Sequence, residues 1–450
     1  MRVRYWTDPT PSQETPRMPT AARSALAHLY RRAGFGARPE QLDAAEKAGY
    51  AATVAHLLDF GAADPAAAAV TPPELSLVVQ QGGKGASAQA RQQARRQARE
   101  QGTRLTLWWL RRMAAADNPL REKLTLFWHG HFATSIQKVR QPRLMYQQNQ
   151  LFRTAGAGPF EALTLAVARD AAMLIWLDGN ANRRQSPNEN FARELMELFT
   201  LGIGNYSEAD VKALARCFTG LRVQRQTGTV RFVQRLHDPG PKTVLGRTAA
   251  FDVAGAVKLL TGHPATARHL AARMWSFFAR PVGPAEEVVA RLAGAFEREP
   301  TGAALLRAVL VDPELTAAEA RTGLVKSPIE YVVGALRALR LQPEARHVSV
   351  LRRLGQVPFA PPSVGGWPAN EAWLTTASSL ARYQFARDVA RRADLSAVAD
   401  EPPGQRPDAA AHLLGVDRWS RTTAAALARV AGDPGGLVTI ALVAPEYVMN

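Results

Sequence analysis

The chain of 450 residues contains one cysteine, Cys217. A single thiol excludes an intramolecular disulfide and any cysteine-built zinc cluster, and its setting in "ARCFTG" is that of a small buried residue. Long apolar runs are missing too. No stretch of roughly 18 apolar residues occurs, so no membrane-spanning helix is expected, and the opening "MRVRYWTDPTPSQETPRMPT" lacks the apolar h-region of a secretory signal. On that reading the chain is cytoplasmic, unless a partner carries it across a membrane. Acidic residues are scarce beside basic ones, 39 Asp and Glu against 56 Lys and Arg, which leaves a net charge of +17. Such a surface concentrates polyanions, so an acidic polymer is one expected partner class. Nucleic acid is disfavoured, because the sequence has no zinc-finger spacing, RNP-like aromatic strand or basic-leucine heptad. The Walker loop, the Gly-x-Gly-x-x-Gly turn, the Gly-x-Ser-x-Gly elbow and His-Glu-x-x-His are all absent, which removes the mechanisms built on them.

The composition that remains is 46% hydrophobic, ample for a core. Residues 1–20 are polar and proline-rich and read as a disordered tail. A helical segment follows over 21–78, with "GFGARPE" splitting two amphipathic stretches. Residues 79–103 are a low-complexity basic insertion of Gln, Ala and Arg, either flexible or a solvated helix. The body of the protein is a helical core over 104–390, and a C-terminal helical segment covers 391–450. Within the core, β-branched residues flank "HDPGP", which predicts one hairpin near 228–246. The expected class is mostly α: a multi-helical single large domain with a small β-hairpin insertion.

Three stretches carry residue types suited to chemistry. In "SPNENFARELMELFTLG", Ser186, Pro187 and Glu189 fit a capping box and Gly202 a stop. At 100° per residue Asn190, Glu194 and Glu197 share one face, which suits metal ligands or an acid–base pair; an exposed face with Glu189–Arg193 and Arg193–Glu197 pairs explains the same spacing. In "FWHGHFATS", His129 and His131 would diverge by about 160° on a continuous helix. A break near Gly130, which the lost periodicity of "ATSIQK" favours, would let both rings face one ion; a core or hydrogen-bonding role stays open. In "LHDPGPKTVLG", His237, Asp238 and Lys242 surround a tight turn, either a site rim or a self-bonded β-turn. Trp367 and Trp373 in "PPSVGGWPANEAWL" could stack a sugar or pin the loop.

Taken in order, "LYRRAGFG", "REKLTLFWHGHFATS", "AMLIWLDGNANRRQSPNENFARELMELFTLG", "ARCFTG", "HDPGPKTVLG" and "PPSVGGWP" resemble the bacterial family catalogued as domain of unknown function 1800, over roughly residues 24–450 without the insertion. The resemblance implies a largely helical protein. It also implies a partner encoded nearby that is similar to sulfatases and alkaline phosphatases and often bears a twin-arginine signal, hence co-export to the cell envelope. The hallmark segments of that family fall on His129, His131, Asn188, Asn190, Arg193, Glu194, Glu197, His237, Asp238, Lys242, Gly366 and Trp367.

The leading expectation is metal-assisted hydrolysis of an anionic or cell-envelope glycan or ester. His129, His131, Glu194 and Glu197 would hold one or two divalent ions, Zn, Mn or Fe, that activate a water. His237 or Asp238 would act as acid or base, Arg193 or Lys242 would hold substrate charge, and Asn188, Asn190 and Trp367 would support them. The competing expectation is a non-catalytic binding or scaffold protein for the sulfatase-like partner, in which the same residues form a buried network. A third is nucleic-acid binding through residues 84–104.

Overall fold

Ala, Gln and Arg are strong helix formers, and they turn most of the basic insertion into regular structure. A computed structural model describes residues 20–78, 87–224 and 226–449. In it Ser87 Oγ accepts from Ala90 N at 3.1 Å and starts a helix of 28 residues, Ala88–Ala115. The boundary expected at 103/104 falls inside this helix. Its first turns face solvent, and its last half buries Leu105, Trp108, Trp109, Leu110 and Met113. Residues 79–86, the rest of that segment, lie outside the described residues, as do 1–19 of the expected tail. Thr20 belongs to the fold instead, its Oγ1 accepting from Arg23 N at 3.0 Å to cap Ala21–Arg32.

Two apolar clusters make up the interior. One gathers the helices over 160–311 with the N-terminal ones; the other gathers the end of the long helix with the helices over 328–448. The C-terminal segment is therefore packed into the same core as Trp108 and Trp109, the helix Thr376–Ala390 lying against Pro434–Val443. Between the clusters runs Leu120–His131, which gives Leu120, Leu124, Phe127 and Trp128 to one and Leu126 to the other. A helix buried on every side must neutralise whatever polar groups it carries, and this one carries Glu122, Lys123, His129 and His131, each at most 2% exposed.

The expected single hairpin is two. β1 (Leu221–Val223) pairs with β2 (Val230–Phe232), and β3 (Lys242–Val244) with β4 (Arg247–Ala249), both antiparallel. "HDPGP" links them and is the tip of neither. The tip of the second is Leu245-Gly246, with φ of 50° and 74°, the left-handed pair that a two-residue turn between right-twisted strands requires. Among the described residues these are the only sheets. The protein is mostly α, one large multi-helical domain, and no described helix is long and apolar enough to cross a membrane.

Candidate functional site

The helix Leu120–His131 does not break at Gly130: it continues through His131. The two imidazoles therefore leave opposite sides, and each works on a different neighbour. Phe359 N donates to His129 Nε2 at 2.9 Å. A backbone N–H only donates, so this nitrogen is an unprotonated acceptor. Burial pushes the His129 pKa down to about 3, in keeping with that role. Trp109, Phe359 and Trp367 surround the ring, with centroids 5.6, 5.4 and 5.3 Å away.

On the other side His131 Nε2 donates to Phe199 O at 3.0 Å, and His269 Nε2 donates to Leu198 O at 2.9 Å. Both carbonyls belong to the π-helical turn Leu195–Thr200 that ends the run starting at Glu189. The last carbonyls of a helix lack intrahelical partners, and two imidazole N–H groups satisfy them here. Burial first, then Arg273 and His269, hold the His131 pKa well below its ordinary value. His269 was not singled out from sequence. A histidine at mid-helix in "TARHLAARMW" gives no sign of its partner, which is 71 residues away.

Of the expected face of Asn190, Glu194 and Glu197, the two carboxylates stay close enough to interact, and Asn190 bonds elsewhere. The helix begins at Glu189, and its cap is Asn188, whose Oδ1 accepts from Asn190 N at 2.9 Å; the Ser186 capping box is not formed. The chain is still extended at Asn188, with φ of −105° and ψ of 116°, so the helix starts two residues later than the spacing predicts. Asn190 Nδ2 donates to Leu177 O at 3.3 Å, and Glu197 accepts from the Tyr206 hydroxyl at 2.7 Å. Arg193 pairs with Glu208 at 2.6 Å and Glu189 at 3.3 Å, a half-exposed network. Glu194 is half-buried, and burial followed by Glu197 raises its carboxyl pKa.

Around the linking turn, His237 Nδ1 lies 3.2 Å from Thr219 Oγ1 and 3.1 Å from Thr219 O. Asp238 accepts from Arg216 Nε at 2.7 Å and from Gly240 N at 2.9 Å; the Arg216 guanidinium is the main reason its carboxyl sits below the usual range. Lys242, 1% exposed, donates to Asp238 O at 2.5 Å and Phe251 O at 2.8 Å. These bonds tie the turn to itself, to Arg216 and Thr219 at the end of the preceding helix, and to Phe251.

As a ligand set, His129, His131, Glu194 and Glu197 do not fit a metal. Both Nε2 atoms are spent on backbone, on opposite sides of one helix, and among the described residues no three His, Cys, Asp or Glu side chains are grouped to hold an ion. What His129 does hold is a wall. Ile136 N donates to Phe359 O at 2.8 Å while Phe359 N is fixed on His129, so the residue is clamped at both ends with φ of 67°. Gly366, at φ 89°, brings the same loop back against Gly130; a Cβ there would stand 2.6 Å from Gly130 O. Trp367 packs on His129, and Trp373, 4% exposed, anchors the far end.

The clamped loop forms one side of a cleft of about 950 Å³. Val357, Pro358 and Ala360 line that side, and the solvent-facing half of the long helix lines the other. Arg91, Arg95, Arg99, Arg140 and Arg352 project around it, all exposed, and its lining contains no Asp or Glu. Among the described residues none of the five pairs with a carboxylate. Sequence reading noted the basic repeat but could not see that it faces a second wall.

Fold and site together define a mostly helical protein with an internally braced polar centre and an open, arginine-lined cleft. A family model described as "Protein of unknown function (DUF1800)" matches residues 28–449, and the chain belongs to that family. No curated protein and no solved structure matches it.

Proposed function

We propose that this protein is a binding protein that grips an acidic partner in the arginine-lined cleft, and that its histidine–carboxylate set braces the fold around that cleft. One observation carries the reading: five arginines, none in an ion pair among the described residues, converge on a cleft whose lining has no acid. Like charges held together at an exposed surface repel one another by a few tenths of a kcal/mol per close pair, and an anionic partner relieves that cost. The net charge of +17 draws the same partner from a distance. The resemblance supplies a candidate of suitable kind, a sulfatase- or phosphatase-like protein exported to the cell envelope, which this chain would accompany or present an acidic polymer to.

Metal-assisted hydrolysis has less support, since His129 and His131 bond backbone on opposite sides of one helix and Glu197 takes the Tyr206 hydroxyl. Polyglutamate titrated into the protein tests the binding reading. Affinity should fall at least about tenfold as salt rises from about 0.05 to 0.2 M, because the contact is between exposed charges. Absence of binding at the lower salt, or binding indifferent to salt, would remove the cleft from consideration.

A further inference from the structure

Resting on that reading, we propose that the cleft's occupant is an acidic amphipathic helix of a partner polypeptide, laid along the N-terminal half of the Ala88–Ala115 helix. Three features of the lining select it. Arg91, Arg95 and Arg99 recur every four residues, so their stems are spaced about 6 Å apart along one face. Carboxylates at i, i+4 and i+8 of a second helix have the same spacing, and a guanidinium takes a carboxylate in a two-pronged bond. Arg140 and Arg352 close the cleft from the other elements, which places cations on both edges of the guest.

The floor between them is aliphatic. Ala94 and Ala98 on the long helix face Ile136, Val348, Val357 and Pro358. A guest must therefore bury an apolar strip as well as present acids. An amphipathic helix does both at once. Phosphodiester polymers and polyphosphate have no apolar body to cover these walls. Single-stranded nucleic acid needs aromatic platforms for its bases, and the lining has no Phe, Tyr, Trp or His. Size agrees: a helix about 10 Å across occupies roughly 420 Å³ per turn, so about 950 Å³ accepts two turns, the length from Arg91 to Arg99.

The test uses the full chain and four fluorescent probes at one ionic strength: a helical peptide with Glu at every fourth position and Leu on the opposite face, a scrambled peptide of the same composition, oligothymidylate and polyphosphate. The helical peptide is expected to bind at least about tenfold tighter than the scrambled one, and Arg95→Glu/Arg352→Glu should abolish the preference while circular dichroism shows the fold intact. Arginine-dependent binding of oligothymidylate or polyphosphate with no preference for the helical peptide would overturn the helix and leave the anionic cleft standing. No arginine-dependent binding of any probe would overturn both.

Discussion

Lowering the pH from about 7 to about 5 is expected to cost this protein a few kcal/mol of stability, the buried histidines outweighing Asp170, whose carboxyl burial pushes up to about 6 so that it acts in the opposite direction. The cause is a set of buried neutral histidines. Burial, helped by Arg32 and Arg31, pushes His28 down to about 2, burial pushes His129 to about 3, and His131 lies well below its ordinary value of 6.5. The sign follows from proton counting. Below about pH 6.5 the unfolded chain takes up protons at these rings and the native one does not, so stability is full above that range and falls as pH drops toward the native values. Each such ring contributes a slope of up to about 1.4 kcal/mol per pH unit. Urea unfolding at a series of pH values measures it, and a midpoint unchanged between about pH 7 and 5 would contradict the burial of these rings.

The second large effect belongs to Glu122. This carboxylate, 1% exposed, accepts from Arg112 Nε at 2.6 Å, from Arg153 Nε and Nη2 at 2.9 and 2.8 Å, and from Trp109 Nε1 at 2.8 Å. Burial alone would raise its pKa; Arg153 and Arg112 outweigh burial and hold it low. Glu122→Ala leaves two guanidinium groups and an indole N–H facing a cavity, and about 3–5 kcal/mol should be lost. Glu122→Gln keeps acceptor capacity and volume, so its loss should be smaller. Thermal unfolding of the two variants separates charge from packing, and a Glu122→Ala protein within about 1 kcal/mol of the parent would show that the cluster contributes little. Its native carboxyl being depressed, Glu122 contributes stability above about pH 4.3 and loses it on further acidification, so the histidine phase comes first.

These buried charges explain how far the sequence could be read. A helix start such as Ser327-Pro328 is legible because a cap is local: Ser327 Oγ accepts from Glu330 N, three residues away. The mostly helical class was legible for the same reason. The continuity of the helix through Gly130 was not, since glycine inside a helix is tolerated when the helix is buried and its neighbours hold it. The paired histidines were legible as important and illegible in role, because their partners, Phe359 N and Phe199 O, lie 230 and 68 residues away. Glu122 and Lys123 stood in the open as "REK" within an apolar run. Lys123 donates to Glu330 and to Gly34 O at 3.0 Å, so it joins three distant segments. The basic repeat looked like an insertion because its second wall, residues 348–362, comes from the far end of the chain.

Binding is proposed for the cleft and bracing for the histidine–carboxylate set, and hydrogen exchange compares the two directly. With polyglutamate present at low salt, amide protection should rise in 91–106 and 348–360, while 189–201 and 237–242 exchange as they do without it. Protection confined to 189–201 and 237–242, with the cleft unchanged, would contradict the assignment and return the working site to the residues described here as bracing.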